Sequence, residues 1–180
     1  MKLAVLFADG FEEVEAVTSL DFLRRAGIQT ASAGLGGREI IGGHDIRVTT
    51  DVTVQELEGD LDGVVLPGGM PGAEHLRDSP DVRKLVRSLF EDGKLIAAIC
   101  AAPGVVLGSY GILSGKRFTC YPGFEKHVKD GTFLEDPVVR DGSIITSRGP
   151  GTAARFAVEV IRYMKGDQPA DEVFRKTLQK

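Results

Sequence analysis

The stretch LIAAICAAPGVVL, residues 95–107, decides the fold. Its first five residues, Leu95 to Ile99, are apolar without alternation, as a strand buried on both faces requires. The apolar pattern then resumes beyond Cys100, where the spacing predicts a helix over 101–109. A short all-apolar strand running directly into a helix is the repeating unit of a parallel sheet covered by helices.

Working outward, the same unit recurs. Strands are predicted at Lys2 to Phe7, Gln29 to Ser32, Gly63 to Leu66, Arg117 to Thr119 and Ser143 to Thr146, besides Leu95 to Ile99. Helices are predicted over 11–26, 80–91, 151–164 and 169–178, the first three stopped by Gly27, Gly93 and Gly166. Between 38 and 51, REIIGGHDIRVTTD reads as a hairpin about Gly42 and Gly43, an edge decoration on the winding. The fold class is α/β, with a mainly parallel sheet and helices on both faces. A chain of 180 residues with 42% hydrophobic content buries roughly 70% of its unfolded surface, enough for one ordinary core, so one domain spanning 1–180 is expected.

Composition excludes several function classes. The net charge is −4, and the 22 basic residues are scattered instead of striped, which argues against a nucleic-acid partner. No apolar run reaches the roughly 20 residues a membrane span needs, and the opening MKLAVLFADGFEE turns acidic after one short strand, unlike a signal peptide. A cytoplasmic setting with Cys100 and Cys120 both reduced is expected. His44, His75 and His127 show no ligand spacing with one another or with the cysteines, so no metal site is expected. GLGG at 34–37 lacks the helix that a dinucleotide fingerprint needs and reads as a turn, so no cofactor is expected either.

In an open parallel sheet, ligands bind beyond the carboxyl ends of the strands. Cys100 stands there, at a predicted helix N-terminus whose dipole favours the thiolate; the competing reading is a buried structural cysteine. Pro67-Gly68-Gly69 follows another strand and either turns tightly or, with the amide of Ala101, forms an oxyanion hole. Glu15, third acid of GFEEVEAV, shares a helical face with Ser19, Phe22 and Ala26 and borders the core; it is either a desolvated acid/base or a solvated acid on the helix dipole. Arg148, at a strand end in SRGPGT, either binds an anionic group or joins a salt bridge.

Five motifs then fall in order. AAICAAP around Cys100, VVLPGG at 64–69, DGFEEVEA at 9–16, DFLRRAGI at 21–28 and TSRGPGT at 146–152 together resemble the ThiJ/PfpI family, and within it the parkinsonism-associated deglycase branch. The resemblance implies a flavodoxin-like homodimer related to class I glutamine amidotransferases, with a reactive cysteine on a strained elbow hydrogen-bonded to a protonated glutamic acid. Those roles fall on Cys100 and Glu15, and the backbone donors on Gly69 and Ala101. The activities it implies are conversion of a small reactive carbonyl, methylglyoxal, to lactate without glutathione, repair of glycated groups, peroxide sensing and chaperone action.

Two departures qualify the transfer. Peptidase-like members carry histidine directly after the cysteine, where this chain has Ala101. Close relatives place a pocket histidine at the position of Tyr121, in TCYPGFE. A missing general acid/base typically costs about 10²–10⁴-fold in rate, so activity is slow unless Tyr121 or His127 supplies the group. Cys120, next to Tyr121, is a second thiol whose direction the sequence leaves open.

Overall fold

The computed structural model describes residues 1–57 and 60–179. Its strands are β1 Lys2–Phe7, β2 Gln29–Gly34, β3 Glu39–Ile41, β4 Arg47–Thr49, β5 Val52–Thr53, β6 Gly63–Leu66, β7 Leu95–Ile99, β8 Arg117–Phe118, β9 Thr132–Phe133, β10 Val138–Asp141 and β11 Ile144–Ser147. The helices are α1 Glu13–Arg25, α2 Gly72–Asp78, α3 Pro80–Glu91, α4 Ala153–Lys165 and α5 Asp167–Lys176. Seven strands form the main sheet in the order β10-β11-β7-β6-β1-β2-β5, parallel throughout except where β10 runs antiparallel to β11. From β1 the chain steps to β2 on one side and returns to β6 on the other, so the winding reverses between β1 and β6. This is the flavodoxin-like pattern, and its switch point is where ligands bind.

Side-chain alternation along each strand divides the interior into two cores. Leu3, Val5 and Phe7 of β1 join Val65, Ala97 and Ile99 beneath α1, α4 and α5, through Phe22, Leu23, Phe156, Ile161 and Val173. Ala4 and Leu6 join Val64, Leu66, Ile96 and Ala98 under α2 and α3, through Leu76, Val82, Val86 and Leu89. Burying each Leu, Ile or Phe of these layers contributes about 1.5–3 kcal/mol, so the central strands are the least deformable part of the molecule. Cys100 packs against both cores, at the carboxyl edge where the sheet ends between them.

Helix α3 follows the prediction because Ser79 Oγ accepts the Val82 N–H at 3.3 Å and Pro80 starts the first turn. Elsewhere the structure corrects the sequence reading. The predicted strand at 117–119 pairs only with β9, outside the main sheet, because β10 already covers the edge of β11. Strands β5 and β10 and the short helix α2 were too brief to leave a periodic signal. The helix expected over 101–109 begins at Pro103 and closes as a wide π-type turn through Gly108, since Cys100 and Ala101 belong to the turn leaving β7. The hairpin is present as β3 and β4, in a sheet of its own.

Candidate active site

The backbone at Cys100 is left-handed, with φ of 64°, a conformation that costs a non-glycine residue of order 1–3 kcal/mol. The surroundings enforce it. The Cys100 N–H donates to the Ser147 carbonyl at 3.0 Å, extending the β7–β11 ladder, and the Cys100 carbonyl accepts the Tyr121 N–H at 2.9 Å. Held from both sides, the residue presents its side chain to Gly68 and Glu15.

Glu15, on the first turn of α1, is 0% exposed. Its Oε2 accepts the Gly68 N–H at 2.8 Å across 53 positions of sequence, and its Oε1 is buried without a hydrogen-bond partner. Gly68 makes this approach possible: a Cβ there would stand 2.6 Å from the Cys100 Cβ and 3.0 Å from both Ala101 N and Glu15 Oε2. Three chain segments thus meet at one point, brought there by β1, β6 and β7.

The electrostatics of the pair are coupled. Burial pushes Glu15 up to about 7, with Glu12's charge adding to it and the Gly68 N–H and Cys100 opposing. Burial also pushes the Cys100 thiol up, Glu15's charge and hydrogen-bonding reach push it further, and the N–H groups of Gly69 and Ala101 pull it back. Both groups therefore resist being ionised together, and the pair favours holding one proton between them. The helix dipole expected to favour the thiolate is therefore opposed at Cys100. Cys100 is half-buried, and the helical turn starts later, at Pro103, so desolvation outweighs the dipole. A thiolate is reached at neutral pH only with the remaining proton on Glu15, which removes the opposing charge and leaves a carboxyl O–H facing the sulfur.

The other predicted residues separate. Gly69 and Ala101 direct their N–H groups at Cys100 itself. Tyr121 is tied to Cys100 through its backbone, and its exposed ring lies over Gly149 and edge-on to Phe124 at 6.3 Å. His127 stacks on Phe124 at 5.9 Å and lines a groove of about 610 Å³ with Arg87, Tyr110 and Lys129, a lining that does not include Cys100. Arg148 Nη1 donates to the Glu135 carbonyl at 3.0 Å. Cys120 is wholly buried in the core under α2 and α3 and forms no disulfide.

Two contacts escaped the sequence reading. The Gly68 amide was visible only as half of a Gly-Gly turn, with no sign that Glu15 would occupy it. His44 was compared with the other histidines and the cysteines, whereas the fold sets it against Glu12 and Glu13, with one ligand-type atom from each within 4.8 Å of the others.

Comparison with known proteins identifies relatives along nearly the whole chain. The chain is 42% identical to protein dj-1beta of Drosophila melanogaster over 178 residues, covering 97% of this chain and 95% of that protein. It is 31% identical over 176 residues to a Caenorhabditis elegans protein named glutathione-independent glyoxalase DJR-1.2, covering 96% and 93%. The structure of oxidized DJ-1 from Toxoplasma gondii superposes with a TM-score of 0.96 at 34% identity, covering 99% of this chain and 98% of that one. The profile of the DJ-1/PfpI family matches residues 1–163, and with relatives this similar along nearly the whole length the chain belongs to that family.

Proposed function

We propose that this chain converts 2-oxoaldehydes such as methylglyoxal to 2-hydroxy acids without glutathione, with Cys100 as nucleophile and Glu15 as proton carrier. The observation that carries the reading is the left-handed Cys100 facing a fully buried carboxyl that has one oxygen fixed by Gly68 and the other unpartnered. The glyoxalase named among the relatives supports it.

The steps follow from those groups. The Cys100 thiolate adds to the aldehyde carbon, and the alkoxide takes the Glu15 proton, giving a hemithioacetal. The Glu15 carboxylate then removes the hydrogen on that carbon as a proton, and the electron pair forms an enediolate. The same proton is returned to the neighbouring carbon while the hydroxyl proton passes from the first oxygen to the second, leaving a 2-hydroxyacyl thioester on Cys100. Water hydrolyses the thioester and restores the thiol. One carbon is oxidised and its neighbour reduced, so no external redox partner enters the balance. The N–H groups of Gly69 and Ala101 hold the anionic sulfur and the oxygen that develops beside it. The assay is methylglyoxal loss with lactate formation, in chelator and without glutathione; a wild-type rate equal to that of Cys100→Ala refutes the reading.

The same chemistry supports a second reading, peroxide sensing, favoured by the oxidized state of the Toxoplasma relative's structure. Intact-protein and peptide mass after mild peroxide separate the two cysteines, and oxygen uptake at Cys120 with Cys100 spared refutes it. A homodimer belongs to the same proposal. Val14 and Val17 on α1 and Ile46 on the hairpin expose apolar side chains beside the site. A monomeric mass by light scattering at micromolar concentration refutes the dimer.

A further inference from the structure

The β3–β4 hairpin stands outside the main sheet, yet it is fastened to the start of α1 at many points. Gly10 N–H donates to Ile41 O and Gly43 N–H to Phe11 O, both at 2.8 Å, and Ile41 N–H donates to Asp9 Oδ1 at 2.8 Å. The strongest grip is on Glu13, which is only 6% exposed. Its Oε1 accepts the His44 backbone N–H at 2.7 Å and its Oε2 the imidazole Nδ1–H at 2.8 Å. Gly42 is required for this seat, since a Cβ there would stand 2.1 Å from Glu13 Oε1. Glu12, whose side chain does not cap the helix, lies 3.8 Å from the same imidazole nitrogen.

Glu12 and Glu13 sit on the turn of α1 that carries Glu15. The Glu12 charge opposes ionisation of Glu15, and Glu13 is its neighbour on the same turn. We infer that His44 is a positioning residue for that pair: it seats the first turn of α1 through Glu13 and, as a cation, cancels carboxylate charge that would otherwise bear on Glu15. The inference rests on the Cys100–Glu15 reading above and extends it to a residue of the hairpin.

The charges that act on His44 are Glu12 and Glu13 at the start of α1 and Asp45 in the hairpin turn. Hydrogen bonding and charge from Glu13, with charge from Glu12 and Asp45, raise His44 above its usual 6.5, the direction that favours the imidazolium. Glu13 is pushed up by burial but held below its usual range by the His44 side-chain and backbone bonds, which outweigh it. Protonation of His44 and ionisation of Glu13 thus favour one another across the clamp.

The test is the pH profile of Cys100 alkylation, followed by peptide mass in chelator for wild type, His44→Ala, His44→Gln and His44→Arg. Neutral replacements leave Glu12 and Glu13 uncompensated, so the pH at half-maximal alkylation rises by about half a unit, whereas His44→Arg keeps it near the wild-type value. Should the Ala variant fail to fold, the contrast between Gln and Arg decides by itself. A purely structural role lowers the rate at every pH and leaves the midpoint unmoved in the Gln variant, and that result overturns the inference, as does an equal upward shift in the Arg variant. Methylglyoxal turnover is read in parallel. A shifted midpoint in a chain without turnover retains the inference and refutes the proposed function; turnover with an unmoved midpoint does the reverse.

Discussion

The loops that follow β7 and β8 each carry a cysteine, and the two have opposite fates. Cys100 leaves its strand with a left-handed backbone, faces a buried carboxyl and is partly open. Cys120 leaves its strand into the core, 0% exposed, and burial pushes its thiol up to about 12, with Glu125's charge adding and Arg148's opposing. Both stand at a strand end in the sequence, so position along a strand does not create a reactive thiol. What differs is that β7 lies inside the main sheet, whereas β8 pairs with β9 in a separate two-stranded sheet. On the proposed reading, a reactive cysteine needs both the left-handed turn and the buried carboxyl beside it.

The comparison breaks first if the cysteines are exchanged in role. Cys100→Ala is expected to reduce methylglyoxal conversion to the buffer rate, while Cys120→Ala keeps turnover within about two-fold of wild type, because its sulfur touches no reacting atom. Comparable losses in both variants would place Cys120 in the chemistry after all.

Glu15→Gln sharpens the role of the partner. The amide still donates toward sulfur but carries no transferable proton, so conversion falls about 10²–10⁴-fold while iodoacetamide still modifies Cys100. Glu15→Asp is also impaired, since the shorter arm withdraws the carboxyl from the sulfur. Wild-type turnover in the Gln variant would remove Glu15 as proton carrier.

The same substitution has a pH-dependent effect on stability. Glu15 is raised in the folded state from 4.5 to about 7, so its protonated form favours folding. That contribution is complete below pH 4.5 and is lost as pH rises through about 7. Relative to wild type, Glu15→Gln should therefore gain about 3 kcal/mol between pH 4 and pH 8, measured as the difference of denaturant midpoints at the two pH values. A difference that stays constant with pH would show that Glu15 is not desolvated in solution.

The smallest effect is expected at the second cysteine. Cys120→Ser places a hydroxyl in an apolar core and should cost about 1–2 kcal/mol of stability at any pH near neutrality, without altering the alkylation profile of Cys100. A thermal melt and one pH series measure both.

Much of this was legible in the order of residues. The unbroken apolar strands, the helices bounded by Gly27, Gly93 and Gly166, the hairpin about Gly42 and Gly43, and the prominence of Cys100 all follow from local patterns, because burial on two faces, turn geometry and a strand-to-helix junction are specified by neighbours in the chain. Glu15 was legible as a carboxyl bordering the core, since its helical face also carries Ser19 and Phe22. Only the tertiary structure decided that its Oε2 rests on the Gly68 amide, that burial outweighs the helix dipole at Cys100, that Cys120 turns inward and that His44 closes on Glu13. Each of those depends on which strands become neighbours and in what register, which brings together residues distant in sequence, and on how much water the resulting contact excludes. Periodicity carries no record of either.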